Sequence, residues 1–159
     1  MKYKIIPVRA DFLDKVRISG IDDQNQQVEI SHAVGGEPCR DVLRGAMPGE
    51  KIILASYCPF TKSGPYKEYG PIFVLENQGD ESFDDTKLPL PTGVDTDYLG
   101  HIFVLKAYCE NERILDSQLA SPENANTILN EYFSNDKVSF VIARYAAYGC
   151  YSFRVQRAV

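Results

Sequence analysis

The sequence predicts an α+β domain: a mostly antiparallel sheet of about seven strands, one main helix over residues 122–134 and short helical turns. Three observations carry that expectation. Short runs with two-residue alternation recur along the chain. A single segment, Ala125 to Phe133, keeps a helical spacing of apolar residues. Helical and extended segments do not alternate regularly, as a parallel βαβ sheet would require. With 159 residues the chain is expected to be one globular domain spanning 1–159, large enough for a core without disulfides or metal.

Taken in order, Tyr3 to Arg9 reads as the first strand, and Ala10 to Val16 as a short helix or turn closed by Gly20. Gln26 to His32 is a weaker strand. Glu37 to Arg44 has the marks of a short helix, with Pro38 in the first turn and Gly45 at the end. The turn Met47-Pro48-Gly49-Glu50 leads into a clear strand, Lys51 to Cys58. A loop with two Gly-Pro steps, Gly64-Pro65 and Gly70-Pro71, precedes the strand Pro71 to Leu75. Glu76 to Gly100 is acidic and rich in Pro, Gly and Asp, a long excursion of the kind that is usually functional or mobile. Ile102 to Cys109 and Arg113 to Leu119 form a hairpin. Ser121 as N-cap and Pro122 at the first helical position start the main helix, and Ser134-Asn135-Asp136 ends it. Lys137 to Tyr145 and Cys150 to Arg157 make the last hairpin.

The composition is that of an ordinary globular protein, 44% hydrophobic and 25% charged. A net charge of −5 argues against nucleic acid or an anionic membrane as partner. No stretch is apolar enough to span a bilayer, and MKYKIIPVR does not read as a secretory signal, so a cytoplasmic protein is expected. Cys39, Cys58, Cys109 and Cys150 are then expected as reduced thiols, and neither they nor His32 and His101 have metal-ligand spacing.

Two residues stand out for chemistry. A final turn centred on Ala147-Tyr148 sets Tyr145 opposite Cys150, Arg144 opposite Tyr151 and Ile142 opposite Phe153. Arg144 then ends the apolar stripe of Val138, Phe140 and Ile142, where a guanidinium needs an internal carboxylate, carbonyls or an anionic ligand. Cys39, in the first turn of the expected short helix and next to Arg40, sits where amides and a guanidinium favour thiolate; it is either a candidate catalytic nucleophile or a buried inert thiol. The Gly-Pro loop holds Tyr66 and Tyr69 either as a binding element or as a rigid connector. The acidic run Asp80, Glu81, Asp84 and Asp85 lacks calcium-loop spacing and reads as a solvated surface.

Pro38-Cys39-Arg40, Pro48-Gly49-Glu50, the strand ending in Tyr57, Pro65-Tyr66, Gly70-Pro71-Ile72-Phe73-Val74, Arg144 and Gly149-Cys150 occur in that order. As a set they resemble the bacterial domain-of-unknown-function family DUF1203, from Tyr3 to Arg157, with a departure over the acidic Glu76–Gly100 segment. The resemblance implies a compact intracellular bacterial protein and carries no activity or cofactor with it. Of the marked residues, Gly and Pro are explained by backbone geometry alone, whereas Cys39, Arg40, Tyr66, Arg144 and Cys150 are not. A pocket built from them would be cationic and aromatic, suited to a small anionic or carboxylate-bearing ligand. In that expectation Arg40, Tyr66, Arg144 and Cys150 bind the ligand, and Arg40 and Arg144 converge on one anion site. The alternative is a binding or scaffold module in which the same residues form a structural network.

Overall fold

A computed structural model describes residues 3–90 and 98–158. Its strands form two five-stranded sheets, where the sequence suggested one. The first sheet has the order β1-β10-β9-β7-β8, with β1 Tyr3–Ile6, β7 Phe103–Tyr108, β8 Ile114–Ala120, β9 Phe140–Tyr145 and β10 Tyr151–Arg157. The second has the order β2-β5-β6-β3-β4, with β2 Glu29–His32, β3 Pro38–Cys39, β4 Arg44–Gly45, β5 Lys51–Tyr57 and β6 Gly70–Leu75. Every pairing is antiparallel except the short β3–β6 contact.

The first sheet is buried on both faces. One face carries Leu105, Ala107, Val141, Ala143, Phe153 and Val155 under helix α2, Ala125–Ser134. The other carries Tyr108, Phe140, Ile142 and Tyr151, which pack against Ile53, Ala55, Tyr57, Ile72 and Val74 of the second sheet. Helix α1, Ala10–Asp14, adds Phe12 to this inter-sheet core and runs on as a π-helical turn, Lys15–Ser19, closed by Gly20 at φ 66. A third cluster on the far side of the second sheet joins Cys39, Val42, Ala46, Ile52 and Leu75.

Three local expectations are corrected. Residues 37–44 are not a helix: Cys39 pairs with Phe73 of β6, the Arg40 N–H donates to Phe73 O (2.9 Å), and Leu43 turns the chain at φ 55. Eight residues are too few to hold a helix without tertiary support, and here burial of Cys39 and Val42 on the sheet supports the extended form instead. The main helix starts at Ala125 instead of Pro122, because Asn124 Oδ1 accepts from Ser121 N (2.7 Å) and holds 121–124 as a separate turn. In the last hairpin Arg144 does face Tyr151, but a bulge between Tyr151 and Phe153 sets Ile142 opposite Arg154. The extra residue sends Phe153 and Val155 to the helix face and leaves Tyr151 on the inter-sheet face.

The acidic excursion is also partly structural. Glu81 and Glu50 together grip the Arg44 guanidinium, each at 2.7 Å, and Asp85 O accepts from Ile5 N along the β1 edge (2.8 Å). Residues 91–97 of that segment lie outside the described residues. Among the described residues no helix is long and apolar enough to cross a membrane.

Candidate functional site

Arg40 follows β3 directly, and the pairing of β3 with β6 drives its side chain inward, so that the residue is only 3% exposed. Its Nε donates to Tyr151 O (2.9 Å) and its Nη1 to Pro38 O (2.7 Å). Its guanidinium carbon lies 5.1 Å from the Tyr145 ring centroid, a cation–π distance. Among the described residues no carboxylate forms an ion pair with it. A buried cation is ordinarily paired with a carboxylate, and among the described residues this one has two carbonyls and a ring instead.

The Arg40 side chain lines a largely apolar cavity of about 640 Å³, walled also by Phe73, Tyr98, Tyr145, Tyr148 and Cys150. That volume is within the range of small-molecule and cofactor sites. Tyr98 is buried, donates its hydroxyl to Ser152 O (3.0 Å) and meets the Tyr145 ring edge-on at 6.0 Å. Burial raises the Tyr98 phenol well above its ordinary value, and neighbouring Tyr145 adds to this against the pull of Arg40. Burial also raises Tyr145, with Arg40 opposing, so both rings present neutral hydroxyls. Among the described residues the Tyr145 hydroxyl and Ser152 Oγ are buried beside one another with no hydrogen bond of good geometry. On the rim, Glu37 takes the N–H groups of Val34 (2.8 Å) and Gly35 (2.7 Å), which hold its carboxyl below the usual value. Gly45 and Gly36 form part of the floor, and a Cβ on Gly45 would lie 3.2 Å from Gly36 Cα, so glycine permits this close backbone approach.

Arg144 lies on a second, smaller cavity of about 160 Å³, with Tyr57, Glu68, Tyr69, Tyr148 and Cys150. It forms an ion pair with Glu68 from the Gly-Pro loop and donates from Nη1 to Gly149 O (3.2 Å), and the Tyr108 hydroxyl lies beside it; among the described residues its Nε is buried with no hydrogen bond of good geometry. The two cavities share Pro71, Tyr148 and Cys150 as walls.

The expected site is therefore redistributed. Arg40 and Cys150 line the larger cavity, and Arg144 lines its neighbour with Cys150 as a common wall. The two arginines do not share one cavity, although they bond to carbonyls only two residues apart. Tyr66 lines neither: it is 39% exposed, beneath the Arg113 guanidinium at 5.5 Å, and the Gly-Pro loop contributes Glu68 and Tyr69 in its place. Cys39 points into the third cluster, fully buried, with Sγ 3.5 Å from Glu37 O. Desolvation first, and Asp41 second, push its thiol up to about 12. The helix terminus that would have favoured thiolate is absent, so Cys39 lacks the thiolate that a nucleophile needs. His32 and His101 are exposed.

Sequence reasoning missed Tyr98, Tyr145, Tyr148, Phe73 and Glu68. Tyr145 and Tyr148 had a usable signal, since they flank the turn that precedes Cys150. Tyr98 had none, because it lies in a segment without periodicity.

No curated protein and no solved structure matches the chain. The DUF1203 pattern, described as a protein of unknown function, matches residues 36–157, leaving β1, α1 and β2 outside the match and both cavity arginines inside it. The chain belongs to the DUF1203 family.

Proposed function

We propose that this protein binds a small molecule in the Arg40 cavity, with an anionic group of the ligand on Arg40 and an apolar or aromatic body between Tyr98, Tyr145, Tyr148 and Phe73. One observation carries the reading: a guanidinium 3% exposed, with no carboxylate partner among the described residues, on the wall of a largely apolar cavity of about 640 Å³. An anion completes its environment, and the neutral Tyr145 hydroxyl supplies a further donor. The reading is one of binding and assigns no bond-making step. Four unpaired cysteines and a net charge of −5 fit a bacterial cytoplasm, with neither nucleic acid nor membrane as partner.

The second reading is a scaffold module in which the arginines are internal fasteners. What favours it is the Glu68–Arg144 pair, together with Ile102, Leu115 and Leu119 exposed at or beside the edge strand β8. A thermal-shift screen of small aromatic and aliphatic carboxylates and phosphates separates the two. A ligand at about 100 times its Kd stabilises by about 2.7 kcal/mol. The Arg40 reading expects that shift in the wild type and its loss in Arg40→Gln. It also expects the loss in Tyr148→Ala, which alters a highly exposed wall residue and leaves the core intact. A shift that persists in both variants places the ligand elsewhere; no shift with any compound leaves the scaffold reading.

A further inference from the structure

Arg144 and Arg40 hold the same short stretch of chain. Arg40 Nε donates to Tyr151 O and Arg144 Nη1 to Gly149 O. Acceptors two residues apart are separated by no more than about 7 Å. The cavities on either side meet at Pro71, Tyr148 and Cys150, an apolar and aromatic seam. Two guanidiniums thus lie on either side of one shared apolar and aromatic wall.

The ion pair that occupies Arg144 is lopsided. The Arg144 side chain is 11% exposed and fixed in β9, whereas Glu68 is 50% exposed on the loop between the two Gly-Pro steps. The half-exposed Glu68 carboxylate returns to water at little cost of its own. Arg144 has no such option. The pairing is also one-sided, because Glu68 meets Nη2 while, among the described residues, the neighbouring Nε is buried with no hydrogen bond of good geometry, the Tyr108 hydroxyl being the polar group beside the guanidinium. A carboxylate docked side-on takes Nε and Nη2 together, the bidentate geometry that suits a guanidinium. Tyr57 and Tyr69 line the same small cavity.

We infer that Glu68 is an internal stand-in for a ligand carboxylate, and that the ligand is a dicarboxylate with an apolar spacer. One carboxylate sits on Arg40, and the second displaces Glu68 from Arg144. The inference rests on the binding function proposed for the Arg40 cavity and extends it into the neighbouring one. It explains why the loop delivers an acid to Arg144.

The test uses α,ω-dicarboxylates from succinate to suberate, each paired with the monocarboxylate of equal carbon number, in calorimetric titrations of wild type and Glu68→Gln. At one chain length the dicarboxylate is expected to bind wild type at least about tenfold more tightly than its monocarboxylate, a difference of about one guanidinium–carboxylate contact. Glu68→Gln removes the internal competitor and should tighten the dicarboxylate several-fold while leaving the monocarboxylate unchanged. Arg144→Gln should abolish the gap; if that variant does not fold, the Glu68→Gln comparison decides alone. Equal binding of both members of every pair, or a dicarboxylate preference that Glu68→Gln leaves unchanged, overturns the inference and leaves the Arg40 site standing. No binding of any of these acids to either protein overturns both.

Discussion

Cys39 and Arg40 are neighbours in sequence and have opposite fates. In the extended β3 turn Cys39 enters an apolar cluster and Arg40 enters a cavity wall. Burial then decides the chemistry of each. The Cys39 thiol, pushed up to about 12, carries almost no thiolate at neutral pH. Cys39 should therefore resist iodoacetamide in the native state at about pH 8, where an ordinary thiol of pKa about 8.5 is partly ionised. Cys109 and Cys150, both partly exposed, should react first. Site-resolved mass spectrometry checks this, and Cys39 labelling at the rate of Cys150 would contradict it. Arg40 was legible in the sequence as a residue needing a partner only through its place beside Cys39 in a set of family-like motifs. Its true neighbours, Tyr98 and Tyr145, are 58 and 105 positions away along the chain, so no local pattern joins them.

At the scale of elements, the strongest sequence signals survived because they report burial directly. The spacing of Ala125, Ile128, Leu129, Tyr132 and Phe133 is the face that α2 buries. Leu129 is fully buried, so Leu129→Ala should cost about 2–5 kcal/mol in chemical denaturation, the range for truncating a core leucine. A cost below about 0.5 kcal/mol belongs to surface positions and would contradict the packing. The strands of the last hairpin were equally legible, and Arg144 was rightly set opposite Tyr151. What alternation does not encode is the bulge after Tyr151, a local insertion of one residue that reverses which face every later side chain takes. Residues 37–44 failed for a different reason. Pro38 and Gly45 punctuate a short helix and a β-turn equally well, and pairing with β6 settled the choice from outside the segment.

For the whole molecule, two sheets replaced the expected one because strand count and alternation do not say which strands share hydrogen bonds. The seam between the sheets is where the candidate site lies, with Arg40 supplied by the second sheet and Tyr145 and Cys150 by the end of the first. Charge also acts at this scale. Glu50 binds Arg44 and accepts from Met47 N, and both bonds hold its carboxyl below 4.5. A depressed folded-state value contributes stability above the unfolded value that is lost as pH falls through the folded one. Asp41 works in the opposite sense, since burial raises it above 3.8 and stability falls as pH rises through that window. Glu50→Gln should therefore flatten the loss of stability below about pH 4.5 relative to wild type, and identical acid limbs in melting curves would contradict the Arg44 clamp. The proposed function turns on an anion binding to Arg40. The most direct measurement is a crystal structure of the protein soaked with an aromatic or aliphatic carboxylate that gives a thermal shift. The carboxylate is expected within hydrogen-bonding distance of the Arg40 guanidinium, with the body of the molecule against Tyr98 and Tyr145. Arg40 paired to a carboxylate of the chain itself, with the bound acid elsewhere, would contradict it.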